Sequence, residues 1–490
     1  MRRRNPFYQE RMLLQMSNSE GKVPSFCSSL LVLTAIIAIL MVGILVFHVD
    51  LHILLILGLL STILIGISQG ICFGKLSDAM AGGVTRGLPA MFIFILIGVL
   101  IGSWISAGTV PALMYYGLKV ISPSIFLPMA FLLCSLTSLC TGTSWGTAGT
   151  MGVAMMGMGM GLGMPPAWVA GAVVSGAVFG DKMSPISDTT VLASVSAGAD
   201  LYDHIKAMLY TTVPAFMIAI VLYTILGLQY AAGELDLKDV GLITSTLENS
   251  FNLNPLVMLP FFVLLGLSLM KVPATAAMLA GALAGSLVGM IFQGMSIAQV
   301  LTAMNYGYST ASGIPLVDKI LMRGGIQSMM WTFSLSFIAL ALGGVLDEAG
   351  FLNTLISELM TRIHSAGALV FTVIATCTIS TAAMAEVYLG IILNGTVYKK
   401  CFEEKGLKPA MLSRLTEEGS TCMGSMIPWT TMGAFIAGTL GVATWDYAPF
   451  AFLNYLTPLI SIIFAYLGMA IFWKGRPNRL LSGKRPPVDK

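Results

Sequence analysis

One stretch of this chain gathers side chains able to hold a small cation: Gly180-Asp181-Lys182-Met183-Ser184-Pro185-Ile186-Ser187-Asp188-Thr189-Thr190. Two carboxylates, one ammonium and four hydroxyls stand there in otherwise apolar surroundings. A charge at the centre of a bilayer costs about 2.5–3.5 kcal/mol on insertion scales, so such groups are not filler. Pro185 lacks an N–H and clashes with the preceding turn, so a helix must break at this point. The break frees backbone carbonyls and exposes helix ends, which can stand in for the hydration shell of an ion away from bulk water. Asp181, Ser184, Ser187, Asp188 and Thr189 are therefore candidate ligands, with Na+ placed near Asp188. The bland alternative, a structural Asp181–Lys182 pair at a helix end, applies more to those two residues than to Asp188.

Further hydroxyls lie in Thr141-Gly142-Thr143-Ser144-Trp145-Gly146-Thr147, whose glycines permit tight turns. The same residues match G-x-S-x-G, but a nucleophile elbow needs a strand-to-helix turn and a histidine partner. The chain has four histidines and no span offers one at the midplane, so hydrolysis is a poor reading. Ser380, Thr381 and Glu386 form a second polar centre, and Ser425, Thr430 and Thr431 a third. Glu386 could instead be a hairpin end in cytoplasmic water, and Glu417 and Glu418 read as interfacial. Methionines 151, 155, 156, 158, 160 and 164 have no cysteine or histidine beside them, so they read as apolar gap-fillers rather than copper ligands. The glycines of 157–163 lack the strand-to-helix setting of a dinucleotide fingerprint. Seven scattered cysteines form no CxxC pair. No cofactor is expected.

The elements that must position these groups are membrane helices. Of 490 residues, 56% are hydrophobic and only 10% charged, with a mean hydropathy of +0.86. Soluble domains carry about 25% charged residues, so most of this surface must face lipid. A net charge of +3 without a basic patch argues against nucleic acid. Ten spans are predicted: 30–47, 51–69, 88–106, 167–197, 208–228, 255–270, 274–292, 326–346, 411–444 and 449–473. Spans 167–197 and 411–444 are interrupted. The stretches 124–163 and 367–398 read as re-entrant hairpins turning around Thr141–Thr147 and Ser380–Glu386. The first span is too long, and too poorly followed by a cleavage site, to be a signal peptide.

The two halves repeat. Met183-Ser-Pro-Ile-Ser-Asp-Thr-Thr190 answers Met426-Ile-Pro-Trp-Thr-Thr-Met432. At the same offset Pro166 meets Pro409, Gly198 meets Gly441, and Asp203 meets Asp446; Gln69-Gly70 and Ala79-Met80 meet Gln293-Gly294 and Ala303-Met304 at another. Positive charge stays cytoplasmic, and both tails are basic: Arg2, Arg3, Arg4, Arg11 and Lys22 at one end, Lys474, Arg476, Arg479, Lys484, Arg485 and Lys490 at the other. Two internal tails require an even number of crossings. With five per half, the second copy is inverted, the connection 229–254 is external and Lys399, Lys400, Lys405 and Lys408 are internal. The expected organisation is a tail (1–29), a first inverted repeat (30–228), an external linker (229–254), a second repeat (255–473) and a tail (474–490). The fold class is an all-α polytopic membrane protein.

At G-D-K-M-S-P-I-S-D-T-T (180–190) the sequence resembles the NhaC family of Na+/H+ antiporters. T-G-T-S-W-G-T (141–147), K-P-A-M-L-S-R (408–414) and I-P-W-T-T-M-G-A-F (427–435) extend the likeness over about 30–473. The resemblance implies a scaffold and a moving transport domain, and makes Asp181, Ser184, Ser187, Asp188 and Thr189 the leading ion-site residues, with Thr143 and Ser144 from the hairpin tip. Glu386-Val387-Tyr388 stands where the family's Asp-x-Tyr is expected, and Thr430 where Asn is expected. Some relatives exchange malate for lactate with protons and sodium.

The expected activity is Na+/H+ exchange across the cytoplasmic membrane, since one carboxylate can hold a proton or Na+ but not both. A Na+- or H+-coupled carboxylate exchanger is the alternative, with Lys182 or the hairpin hydroxyls meeting the substrate. Repeats with paired hairpins disfavour a channel, and nothing points to an enzyme. The partners expected are Na+, H+, small carboxylates in the alternative reading, the lipid bilayer and a second copy in a homodimer.

Overall fold

The structure is a computed structural model that describes residues 24–480, apart from 121, 233–236, 271, 313, 315–316, 319–320, 362, 364 and 477–478. The N-terminal arginines and the last lysines of the basic tails lie outside the described residues. Among the described residues the fold is all-helical, with one isolated bridge between Leu407 and Trp473.

The first half contains α1 (Phe26–Leu45), α2 (Leu51–Ser68), α3 (Phe73–Ser106), α4 (Thr109–Val120), α5 (Pro123–Thr141), α6 (Ser144–Thr147), α7 (Val153–Gly161), α8 (Pro166–Met183), α9 (Asp188–Ala197) and α10 (Leu201–Ala232). A π turn over Ala148–Gly152 joins α6 to α7. The second half contains α11 (Leu237–Ser250), α12 (Leu259–Leu269), α13 (Ala274–Phe292), α14 (Ile297–Tyr306), α15 (Met330–Glu348), α16 (Phe351–Thr361), α17 (Ala366–Met384), α18 (Val387–Glu404), α19 (Pro409–Gly424), α20 (Thr431–Leu440), α21 (Thr444–Tyr447) and α22 (Phe452–Tyr466).

Among the described residues, eight helices are long and apolar enough to cross a membrane, or ten if two bent pairs each count as one span. The number matches the expected ten, but the membership differs. The hairpin arms α5 and α17 qualify, because each is a 19-residue helix with no charged residue in it. The two interrupted spans do not: α9, α19 and α20 are too short at 10, 16 and 10 residues, and α8, at 18 residues, is too polar with Asp181 and Lys182 in it. α3 starts well before the expected 88 and runs 34 residues with Pro89 inside it. The expected linker is largely helix: α10 continues to Ala232, and α11 follows before a 95° bend at Pro255. The last helix stops at Tyr466, and the chain then doubles back so that Trp473 meets Leu407.

α5 lies along α8, α3 along α15, and α17 along α19. The main core gathers around α3, α5 and α8. Large apolar residues such as Leu31, Leu64, Met217, Leu283 and Ile291 project outward from α1, α2, α10 and α13, as lipid-facing residues do.

Element boundaries recur. α17 begins and ends 243 residues after α5; the same spacing separates the starts of α8 and α19, both ends of α9 and α20, and the left-handed glycines Gly198 and Gly441. Earlier in each half the spacing is shorter: Gly294 follows Gly70 by 224 residues, whereas Gly350 follows Gly108 by 242, so the second half carries 18 extra residues between these points. They fall where α3 is continuous in the first half. In the second, α14 stops at Tyr306, helical residues recur at Val317, Asp318 and Leu321, and a longer helical path begins at Ile326. The intervening chain folds back on α3, with the Gly325 N–H donating to the Gly98 carbonyl at 2.7 Å.

Candidate functional site

The first hairpin turns at Gly142, whose φ of +70° lies in the left-handed region. A Cβ there would press on Ile186 at 2.6 Å and on the Ser187 nitrogen at 3.1 Å, so the hairpin tip seats directly on the helix break. Thr143 caps α6, its Oγ1 accepting from the Gly146 N–H at 3.3 Å. α8 ends at Met183 ahead of Pro185, and α9 begins at Asp188. The Thr190 hydroxyl donates to the carbonyls of Asp181 and Lys182 at 3.1 and 3.0 Å, partnering two acceptors freed by the break.

Asp181 is buried at the centre. Its Oδ2 accepts from the Ser144 hydroxyl and its Oδ1 from the Ser187 hydroxyl, each at 2.6 Å. Ser187 Oγ lies 3.0 Å from Thr189 Oγ1. A hydroxyl that donates its proton to a carboxylate keeps its lone pairs for a cation. Asp181 therefore orients Ser144 and Ser187 as acceptors. Ser184 plays another part: its hydroxyl donates to the Leu139 carbonyl at 2.9 Å and ties the break to the hairpin arm.

Asp188 is exposed to a cavity of about 470 Å³ that Thr143, Trp145, Thr150 and Tyr388 also line. Its Oδ1 accepts from the Thr189 N–H at 3.0 Å and its Oδ2 from the Tyr388 hydroxyl at 2.7 Å. That last bond joins the two halves.

The second half repeats the plan with other residues. Its hairpin turns at Ala385, with φ +55°. Glu386 caps α18 and is buried, not open to water, accepting from the Thr431 hydroxyl at 2.8 Å. Thr430 closes the second break: its hydroxyl donates to the Gly424 carbonyl at 2.6 Å and accepts from the Gly433 N–H at 3.0 Å. Thus Ser144, Asp181, Ser187 and Thr189 form one cluster, Asp188 and Thr143 face the cavity, Glu386 bonds to Thr431, and Thr430 is a helix cap.

Lys182 does not pair with Asp181. Its ammonium is fully buried without a hydrogen bond, against the Cys422 thiol and within electrostatic reach of Glu417 and His204. Glu417 and Glu418, expected at the interface, are also fully buried. α10, α17, α18 and α22 all pack on α19, so its polar composition never meets lipid or water. The Arg414 Nε stands 3.7 Å from Glu418 Oε1, which also accepts from the Thr211 hydroxyl at 2.6 Å. The methionine run is core: Met155, Met156, Met158 and Met164 are buried, and Met158 fills the space left by Gly117. No group of three His, Cys, Asp or Glu residues among the described ones is arranged to hold a metal ion. Thr431 stands among the second-half hydroxyls and Tyr388 in the expected Asp-x-Tyr position, but the sequence does not show their partners, Glu386 and Asp188.

Two hairpin tips set against two helix breaks, with carboxylates and hydroxyls gathered between them, define a secondary transporter. The chain belongs to the Na+/H+ antiporter family, whose sequence profile matches residues 19–207 and 176–469. It is 38% identical to the Na(+)/H(+) antiporter NhaC of Alkalihalophilus pseudofirmus, over 90% of this chain and 96% of that one. It is 35% identical to the malate-2H(+)/Na(+)-lactate antiporter of Bacillus subtilis, over 94% and 99%. The arginine/ornithine antiporter ArcD of Halobacterium salinarum is 34% identical, over 92% and 94%.

Proposed function

We propose that the protein exchanges Na+ for H+ across the cytoplasmic membrane by alternating access. The observation that carries this reading is Asp188 on the cavity wall, next in sequence to the Asp181–Ser144–Ser187–Thr189 cluster. A carboxylate reached from a cavity can trade a proton for Na+, and oriented hydroxyls supply the remaining oxygen ligands. The family's named Na+/H+ antiporters support the same conclusion. In the orientation argued from charge, both termini are cytoplasmic and the two repeats are inverted; the recurring element boundaries support the duplication.

The test is transport by the purified protein in proteoliposomes. An imposed pH gradient should drive uptake of radiolabelled Na+ without any organic acid present. Uptake that requires malate or lactate would instead favour the organic-acid reading, which the Bacillus subtilis relative motivates. Absence of Na+ movement under either condition would reject both.

A further inference from the structure

We propose that a second cavity, built around Arg323 and separate from the cation site, binds a small organic carboxylate. This cavity has a volume of about 430 Å³ and is lined by Arg323, Ser328, Trp331, Thr332, Thr439 and Thr444, among others. That is within the range of small-molecule sites and larger than a bare halide needs. It lies along the last turn of α20 and the residues after it, with Pro428 of the second helix break also on its wall.

Arg323 is half-buried there, and no carboxylate among the described residues pairs with it. A guanidinium is always charged, and holding one in a low-dielectric setting without a counter-ion is costly. Its neighbour is the backbone of Gly441, the left-handed residue that ends α20; a Cβ at Gly441 would collide with the guanidinium. The helix C-terminus supplies only about half a negative charge, so part of the positive charge remains for a ligand. The matching position in the first half shows the difference. Gly198 receives the Lys399 ammonium in the same way, but Lys399 is exposed and needs no further partner.

A second observation points to a ligand independently. Thr439 is 3% exposed, lines this cavity and has a hydroxyl with no hydrogen-bond partner. A threonine within a helix can bond back to the preceding turn; this one does not. A planar guanidinium suits a carboxylate through paired N–H donors, and the Thr439 hydroxyl can donate to the same group. Trp331, Leu51 and Val442 offer apolar walls for the carbon skeleton. Arg323 comes from the extra chain in the second half, so the first half has no counterpart to this site.

The experiment is calorimetric titration of the purified wild-type protein with L-lactate, L-malate, acetate and chloride, alongside Na+ as a check of the cation site. At least one carboxylate should bind, and more tightly than chloride. Arg323→Gln should weaken that binding at least tenfold, as expected for loss of a charged donor worth more than about 1.4 kcal/mol. Na+ binding should persist in the same sample. Thr439→Val, which preserves shape, should weaken carboxylate binding severalfold and decides the matter if Arg323→Gln does not fold. No carboxylate binding by the wild type, chloride bound as well as carboxylate, or carboxylate binding unchanged in either folded variant would overturn the proposal.

Discussion

Replacing Ser187 by Ala removes one hydroxyl from the centre of the proposed cation site. The structure specifies what is lost: the donor that holds Asp181 Oδ1 at 2.6 Å, and the oxygen 3.0 Å from Thr189 Oγ1. A hydrogen bond to a charged group contributes about 1.5–3 kcal/mol, and each 1.4 kcal/mol is about tenfold in affinity. Na+ should therefore bind roughly 10- to 150-fold more weakly to Ser187→Ala, with Ser187→Thr retaining most of the affinity. Ser184→Ala is the matched control. It also deletes a buried hydroxyl, but one that donates to the Leu139 carbonyl and orients no carboxylate. It should cost about 1 kcal/mol of stability and leave Na+ affinity within a few-fold. Isothermal titration with Na+ and thermal unfolding, run on both variants in detergent, separate the two effects. Equal losses of Na+ affinity in the two variants, or none in Ser187→Ala, would refute the assignment of Asp181 as the group that orients the ligands.

Other outcomes follow from the same geometry. If Na+ and H+ compete for one carboxylate, apparent Na+ affinity falls about tenfold per pH unit wherever that carboxylate is protonated; a pH-independent Kd from titrations would argue for separate paths. In a double-mutant cycle of Lys182→Met and Glu417→Gln, the coupling should be about 0.5–3 kcal/mol, because the two buried groups lie within electrostatic reach of each other without forming an ion pair. Additive losses in thermal unfolding would show that the two do not interact. Ala385→Gly should be neutral or stabilising by up to about 1 kcal/mol, whereas Ala385→Val should destabilise, because φ is +55° there. The opposite order of unfolding temperatures would show that this turn is not left-handed.

The local chemistry of the first break was legible because a proline amid hydroxyls and carboxylates in an apolar span has few structural uses. The hairpin turns were legible for a similar reason, since glycine, threonine and serine interrupt long apolar runs. Composition could not reveal which faces of α19 meet lipid. Glu417 and Glu418 look interfacial beside the charged 399–408 stretch, and only the helices packed around them show that they are buried. The Tyr388–Asp188 bond joins residues 200 positions apart in the chain, and no local pattern encodes it. Ser184 and Thr430 were chosen for their hydroxyls, yet their partners are backbone groups. Sequence position alone does not separate a ligand from a brace.

The extra chain between α14 and α15 bears on how the exchange cycle runs in time. If the halves are inverted as proposed, two identical copies would make the two facing states equivalent by a two-fold rotation, with equal energies and equal barriers. One copy has an unbroken 34-residue rod, while the other has a folded-back insertion resting on that rod through Gly98 and Gly325. The degeneracy is therefore lifted. On the proposed inverted arrangement, the resting population and the rate of each half-cycle would differ between the two faces. The ratio of ions exchanged is untouched, because it depends only on what the site holds in each state. An insertion of this kind acts as a kinetic bias: it sets which side waits, without altering where the gradients come to balance.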